Sequence, residues 1–217
     1  NTKEMIKKNK KILIAGTGGF AKEVLSLIYD LGRFDDVEGF IEPDKTYKQI
    51  DKNKLIHGKP ILPYSFVKSN SHLITIAIAN SETRQKIINQ LPNDINFITL
   101  IHPNAVISKW VKIGEGVIIC AGSIITCDIE IGKHSQLNLN TTIGHDCIIG
   151  DFFTTAPNVN ISGNCTFENH VYFGTASCIK QGLSIVENVI IGMGAIVTKN
   201  ITESGVYIGN PARILKK

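Results

Sequence analysis

A six-residue periodicity occupies the second half of this 217-residue chain and runs without a break in phase. Its leading positions are Ile101, Ile107, Ile113, Ile119, Ile125, Ile131, Leu137, Ile143, Ile149, Thr155, Ile161, Phe167, Phe173, Ile179, Ile185, Ile191 and Val197, and 16 of these 17 are apolar. Glycine follows the leading residue at Gly114, Gly132, Gly144, Gly150, Gly174 and Gly192. Such a hexad suits a parallel β-helix with three flat faces per turn: the leading aliphatic points inward on each face, and glycine or another small residue makes the corner. Three hexads close one coil, so residues 18 apart stand one above another. Ile101 to Val197 then supplies five to six coils, a prism on the order of 25 Å tall at the ~4.8 Å spacing of paired strands. Cys147 falls beneath Cys165 in an interior ladder, which predicts buried free thiols in preference to a disulfide or a metal site.

The repeat also explains the composition. Isoleucine fills 12 of the 17 leading positions, and aromatics are only 7% of the chain, as expected of an interior with little room for large rings. With 43% hydrophobic and 19% charged residues, 19 Gly and 7 Pro, the composition excludes disorder, collagen and a long coiled coil. The formal charge of +4, with no Lys/Arg block in the chain interior, gives no sign of a nucleic-acid partner. No stretch approaches the ~20 apolar residues that span a bilayer, and Asn1 to Lys10 is basic without the apolar segment of a signal peptide. Five cysteines lie in apolar or small-residue segments with no C-x-x-C pair and read as reduced thiols. A soluble, cytoplasmic protein with no membrane partner is the expectation.

The first hundred residues carry a different pattern. Lys11 to Ala15 (KILIA) reads as a strand, followed by Gly16-Thr17-Gly18-Gly19-Phe20-Ala21 and a helical pattern from Lys22 to Leu31. This is G-x-G-x-x-A between strand and helix, where glycines permit a tight turn and let backbone N–H groups approach a phosphate at the helix N-terminus. A second strand, Val37 to Ile41, ends at Glu42, about where a dinucleotide fold places its ribose-binding acid. Strands at Leu73 to Ala79 and Asn96 to Leu100 flank a helix from Asn80/Ser81 through Gln90. A unit of this length is a small, Rossmann-like α/β domain that suits a mononucleotide better than a dinucleotide; a glycine turn serving packing alone is the competing reading. The chain thus divides into an α/β domain, residues 1–100, and a β-helix with a C-terminal tail, residues 101–217.

The hexads resemble those of the hexapeptide-repeat acyltransferases, whose coil is left-handed; the hand comes with the resemblance and not from the periodicity. Coupled to the small α/β unit, the pattern from Lys11 to Leu215 is similar to the PglD/NeuD-type sugar acetyltransferases. That resemblance implies an N-terminal unit that holds a nucleotide-linked sugar, and a β-helix that forms a homotrimer and binds acetyl-CoA between neighbouring subunits.

Acetyl transfer from a thioester needs a base for the nucleophile's proton, donors to the developing oxyanion, and a slot for the pantetheine arm. Among His57, His72, His102, His134, His145 and His170, His145 stands out because Asp146 follows it directly. It occupies an outward corner with Cys127 and Gly163 as its vertical neighbours, and Gly163 leaves space beside the imidazole for a thioester. The stretch from Asn138 to Asp146 is similar to the family's catalytic segment, which implies His145 as general base, Asp146 raising its basicity and Asn138 holding the acceptor. The competing readings are a solvated corner histidine and an Asp146 pointing away, since consecutive residues of an extended chain diverge. Thr154 stands where some family members carry a second histidine, so the oxyanion donor stays open, with backbone N–H groups around Gly163 as the substitute.

For acetyl-CoA the resemblance implies Thr154, Gly163, Gly174, Thr175, Gly192 and Met193, with Arg213, Lys199, Lys216 and Lys217 near the CoA phosphates. For the nucleotide-sugar it implies Gly18, Gly19, Phe20 and Glu42; Pro43 interrupts the family's acidic pair and Asp44 is the substitute, while Ala79 stands where the family often has glycine. No metal is expected. The implied reaction is N-acetylation of the 4-amino group of a UDP-4-amino-4,6-dideoxy-N-acetylhexosamine for surface glycans or glycoproteins, by direct attack with His145 as base. The alternatives are O-acetylation of a sialic-acid-type sugar and a non-catalytic nucleotide-sugar-binding scaffold. A zinc carbonic anhydrase on the same coil needs three converging histidines, whereas His134 and His145, 11 apart, fall on different faces or heights.

Overall fold

The computed structural model describes residues 10–216; the basic segment 1–9 and Lys217 lie outside the described residues. Two compact units meet in sequence between Leu100 and Ile101. Among the described residues no helix is long and apolar enough to cross a membrane.

The first unit contains β1 (Lys11–Ala15), α1 (Gly19–Asp30), β2 (Val37–Glu42), the one-turn α2 (Asp44–Tyr47), β3 (Leu55–Ile56), β4 (Lys59–Pro63), β5 (His72–Ile76), α3 (Ser81–Ile88) and β6 (Asn96–Phe97). The sheet order is β3-β4-β2-β1-β5-β6, parallel throughout except for β3 against β4. Ile12, Leu13, Ile14 and Ala15 of β1 are wholly buried, the signature of a central strand covered on both faces. α1 buries Ala21, Val24, Leu25, Leu27 and Ile28. The side-chain oxygen of Asn80 caps α3 by accepting from the Thr83 N–H at 2.8 Å and hydroxyl at 2.7 Å.

From β1 the chain builds outward to β2 and β4 on one side and to β5 and β6 on the other, which makes a topological switch point between β1 and β5. The loops that leave these two strands form its walls. Gly16 sits there at φ +106°, with Ile78 Cγ1 only 2.9 Å from where its Cβ would stand, so both backbone and packing demand glycine. The β3–β4 hairpin adds to the strands read from the sequence; Pro60 and Pro63 mask it. β4 tolerates them because its outer neighbour is only two residues long. The strand near residue 73 also ends earlier than its apolar run, at Ile76, and the loop from Ala77 to Asn80 takes the remainder.

In the second unit the hexad strands from Ile107 to Ile179 pair in parallel with the strand 18 residues on, as at Ile119↔Leu137, Ile125↔Ile143 and Ile131↔Ile149. The first face contains Ile118–Ile119, Gln136–Leu137, Thr154–Thr155 and Tyr172–Phe173; the second contains Thr142–Ile143 and Asn160–Ile161; the third contains Ile148–Ile149 and Thr166–Phe167. The leading residues form one continuous core. Thr155, the polar exception, also points inward: its hydroxyl lies 2.7 Å from that of Thr141 and accepts the Asn138 N–H at 3.0 Å.

Three expectations are corrected. The left-handed corner residues stand at the fourth place of the hexad, where Asp128, His134, Asn140, Asp146, Phe152, Asn158, Asn164, His170, Ala176 and Asn188 have φ near +60°. Glycine at the second place serves a different need, close stacking: a Cβ on Gly132 would lie 2.4 Å from the carbonyl carbon and oxygen of Gly150. Large rings also find room, since Phe153, Phe167 and Phe173 pack together inside the coil with centroids 5.1 to 5.8 Å apart. Finally, the segment after Val197 is structured. Gly205–Ile208 adds a further parallel strand to the first face, and Arg213–Ile214 turns back antiparallel on it.

Candidate active site

His145 and Asp146 occupy the corner between the second and third faces. Asp146 lies in the left-handed region at φ 59°, which turns its side chain back along the chain instead of away from its neighbour. Its Oδ2 is 2.6 Å from His145 Nδ1, and both side chains are more than half exposed, 63% and 60%. With Asp146 ionised, Nδ1 carries the proton and Nε2 keeps the lone pair. The ring lies over Gly163: a Cβ there would be 2.7 Å from Nε2 and 2.8 Å from Cε1. The room left by the missing side chain is therefore taken by the imidazole itself, which corrects the expectation that a thioester fills it. Among the described residues no backbone hydrogen bond is made by the Gly163 N–H, and its nitrogen lies over Gly144, 2.5 Å from where a Cβ on that residue would stand. Beneath them, partial burial, with Asp128 and Asp146, pushes the Cys127 thiol up from its ordinary value, so it is a poor nucleophile at neutral pH.

The remaining coil residues fall elsewhere. Asn138, Gly174 and Gly192 stack on the corner between the first and second faces, with Thr175 and an exposed Met193 beside them. Asn138 uses its side-chain oxygen to accept the Leu139 N–H at 2.7 Å. Within one chain this corner and the His145 corner are separated by the width of the second face. Thr154 is only 3% exposed, on the first face, opposite the His145 corner; it is not a neighbour of the imidazole in its own chain. Arg213 and Lys199 line a cavity of about 310 Å³ with Tyr207, Asn200 and Ile214 at the C-terminal end of the coil. Lys216 is exposed. His134 occupies the corner between the third and first faces, stacked on Phe152 with centroids 5.4 Å apart, away from His145. Among the described residues no three His, Cys, Asp or Glu side chains are placed to hold a metal ion.

At the switch point, Gly18 and Gly19 open α1, and nothing lies within 4 Å of where their Cβ atoms would be. Packing therefore does not require glycine there, unlike at Gly16, and the space is open to a ligand. Phe20 is half-buried in the first turn of the helix, and Ala79 is exposed on the facing loop. Glu42 closes the same end of the sheet, its Oε1 accepting from the Thr17 hydroxyl at 2.6 Å. Sequence reasoning passed over Thr17 as a spacer; a hydroxyl inside the glycine turn was the available signal. Asp44 is held below the usual carboxylate range by the Ser65 side chain and also accepts the Ser65 N–H at 3.1 Å. Tyr64 is pushed up by burial and by Glu42.

Residues 11–91 match the family model of the PglD N-terminal domain. The GDP-perosamine N-acetyltransferase of Escherichia coli O157:H7 is 30% identical over 219 residues, covering 94% of this chain and 96% of that protein. The chain belongs to the PglD-type sugar acetyltransferases. Solved structures agree with this placement. WeeI from Acinetobacter baumannii AYE is 35% identical with a TM-score of 0.85, over 95% of this chain and 100% of that one. PerB from Caulobacter crescentus, in complex with CoA and GDP-perosamine, is 26% identical with a TM-score of 0.85, over 95% of this chain and 97% of that one. As a PglD-type acetyltransferase the chain carries the expected fold, a small Rossmann-like α/β unit followed by a left-handed parallel β-helix, and is an acetyl-CoA-dependent acetyltransferase.

Proposed function

We propose that this PglD-type acetyltransferase moves the acetyl group of acetyl-CoA onto the 4-amino group of a nucleotide-linked 4-amino-4,6-dideoxy sugar, with His145 as the general base. The observation that carries the reading is the 2.6 Å contact of His145 Nδ1 with Asp146, which leaves Nε2 as the proton acceptor on an exposed corner. The sugar amine attacks the thioester carbonyl carbon, the C–N bond forms and Nε2 takes the amine proton. The C–S bond then breaks, and the CoA thiolate leaves and is protonated. A thioester is already activated, so positioning and a base suffice, and no protein thiol is needed as an acyl carrier. The raised Cys127 agrees with direct attack. The Gly163 N–H is the oxyanion donor in this reading.

The separation of the two corners supports a site assembled between copies of the chain, a homotrimer in which His145 and Asp146 of one subunit meet Asn138, Gly174, Thr175, Gly192 and Met193 of the next. The exposed Val106, Ile124 and Trp110, at 63%, 45% and 61%, supply apolar surface for such pairing on the second face and its corner. Arg213 and Lys199 then face the CoA phosphates, while the open Gly18–Gly19 turn, Phe20, Glu42 and Ala79 hold the nucleotide-sugar. Thr154, buried on its own face, contributes through the stacking of the coil. The UDP-4-amino-4,6-dideoxy-N-acetylhexosamine type is the substrate read from the sequence; the full-length likeness to a GDP-perosamine N-acetyltransferase favours a GDP-linked second reading.

Incubation with acetyl-CoA and a panel of UDP- and GDP-linked amino sugars, with free-thiol release as readout, tests the proposal. Turnover with one nucleotide series and none with free sugars or sialic acid is the expected result. Binding without thiol release would leave only the scaffold reading, and a monomeric mass at micromolar concentration would remove the inter-subunit site. Gly163→Ala tests the ring position: the added methyl displaces an exposed imidazole at little cost to the fold. We expect kcat about tenfold lower, a loss of ~1.4 kcal/mol of transition-state stabilisation, with an unchanged thermal midpoint. Unchanged turnover in this variant would show that the placement of the imidazole over Gly163 is immaterial.

A further inference from the structure

One side chain takes two carbonyls of the loop that leaves β5. Arg84, on α3, donates from Nη1 to the oxygen of Ile78 at 3.0 Å and to that of Ala79 at 2.8 Å. Its side chain is wholly buried, the largest to be so among the described residues. A buried guanidinium loses strong hydration, which its hydrogen bonds must offset. α3 does not need these bonds to start, because Asn80 already caps it through Thr83. The other wall of the loop is Gly16, whose missing Cβ would lie 3.2 Å from the Ala77 oxygen. The segment from Ala77 to Asn80 is thus clamped at the switch point between β1 and β5.

In a trans peptide unit the C=O and the following N–H point in opposite directions. Oxygens of Ile78 and Ala79 held on Arg84 therefore aim the N–H groups of Ala79 and Asn80 away from the buried side, and both of those residues are exposed. Desolvation lowers the guanidinium to about 9, so it stays charged at neutral pH behind two peptide dipoles whose N–H ends point outward. Such an arrangement favours anionic oxygens. We infer that Arg84 is a positioning residue for the nucleotide-sugar, pinning the oxygens of Ile78 and Ala79 so that the N–H of Asn80 meets the ligand's diphosphate. The inference rests on the nucleotide-sugar reading of the N-terminal unit.

The test compares the wild type with Arg84→Met and Arg84→Lys, using whichever nucleotide-linked amino sugar the wild type acetylates, and UDP and GDP alone as binding probes. Arg84→Met is expected to raise KM for the nucleotide-sugar tenfold or more while KM for acetyl-CoA and kcat at saturation change less than twofold. Arg84→Lys keeps the charge but cannot bridge two carbonyls as rigidly, and its KM should rise about threefold. Should Arg84→Met fail to fold, Arg84→Lys decides. An unchanged KM for the nucleotide-sugar, an equal rise in both KM values, or loss of fold in both variants would overturn the positioning role. A wild type that binds neither nucleotide nor nucleotide-sugar fails at the earlier step, in the reading of the N-terminal unit itself.

Discussion

His145→Ala should lower kcat by about 100-fold or more and leave the thermal midpoint where it was. The size follows from what a positioned base contributes to proton transfer; the unchanged stability follows from a side chain that is 63% exposed, lying over Gly163 and against an equally exposed Asp146. Asp146→Asn should also lower kcat, by about tenfold or more, because the amide carries no charge to stabilise the imidazolium and its NH2 can hold the ring in the wrong tautomer. Steady-state kinetics with acetyl-CoA and the amino sugar, beside a thermal melt of each variant, reads both effects. A His145→Ala enzyme that turns over like the wild type would remove the base from the proposed mechanism, and a kcat loss matched by unfolding would reassign the residue to the fold.

Gly132→Ala is expected to destabilise the coil by about 3 kcal/mol, an overpacking penalty against backbone that has no room to move. The added Cβ would lie 2.4 Å from the carbonyl carbon and oxygen of Gly150 and 2.6 Å from the Asp151 nitrogen. Relief requires parting two coils, and they are tied by the Gly132 N–H to Ile149 oxygen bond and the Phe152 N–H to Lys133 oxygen bond, both at 2.8 Å. A chain of this size should lose roughly 10 °C of thermal midpoint. Gly18→Ala is the control: Gly18 has an ordinary φ of −78° and open space at its Cβ position, so its midpoint should not move. An unmoved midpoint in Gly132→Ala would mean that second-place glycines are not needed for stacking.

The contrast between these two glycines shows what a sequence reveals about such a coil. The phase of the inward residues was legible from Ile101 to Val197, because burial on three faces enforces it residue by residue. The division of labour among small residues was not: glycine stands for a turn, for close stacking or for an open ligand site, and only the neighbouring coil tells which. The left-handed corners carried a partial signal, since Gly, Asn and Asp fill most fourth places, as at Gly116, Gly122, Asn140 and Asn158, but His134, Phe152, His170 and Ala176 occupy the same conformation and blur it. Asp146 is the instructive case. Two adjacent residues of an extended chain diverge, yet a φ of 59° brings its carboxylate onto the His145 ring. In the first unit the G-x-G-x-x-A turn was plain, whereas the links that organise its site, Thr17 to Glu42 and Arg84 to the loop after β5, span different elements and have no local pattern.

Two-dimensional NMR of the product made from ¹³C-acetyl-CoA and the preferred nucleotide-linked amino sugar tests the central claim most directly. The acetyl carbonyl carbon should couple through an amide to the nitrogen on C4 of a hexose still attached to its nucleotide, with one free CoA thiol per product. An acetyl ester on a hydroxyl, or an acetylated sugar formed only after release from the nucleotide, would contradict the proposed reaction.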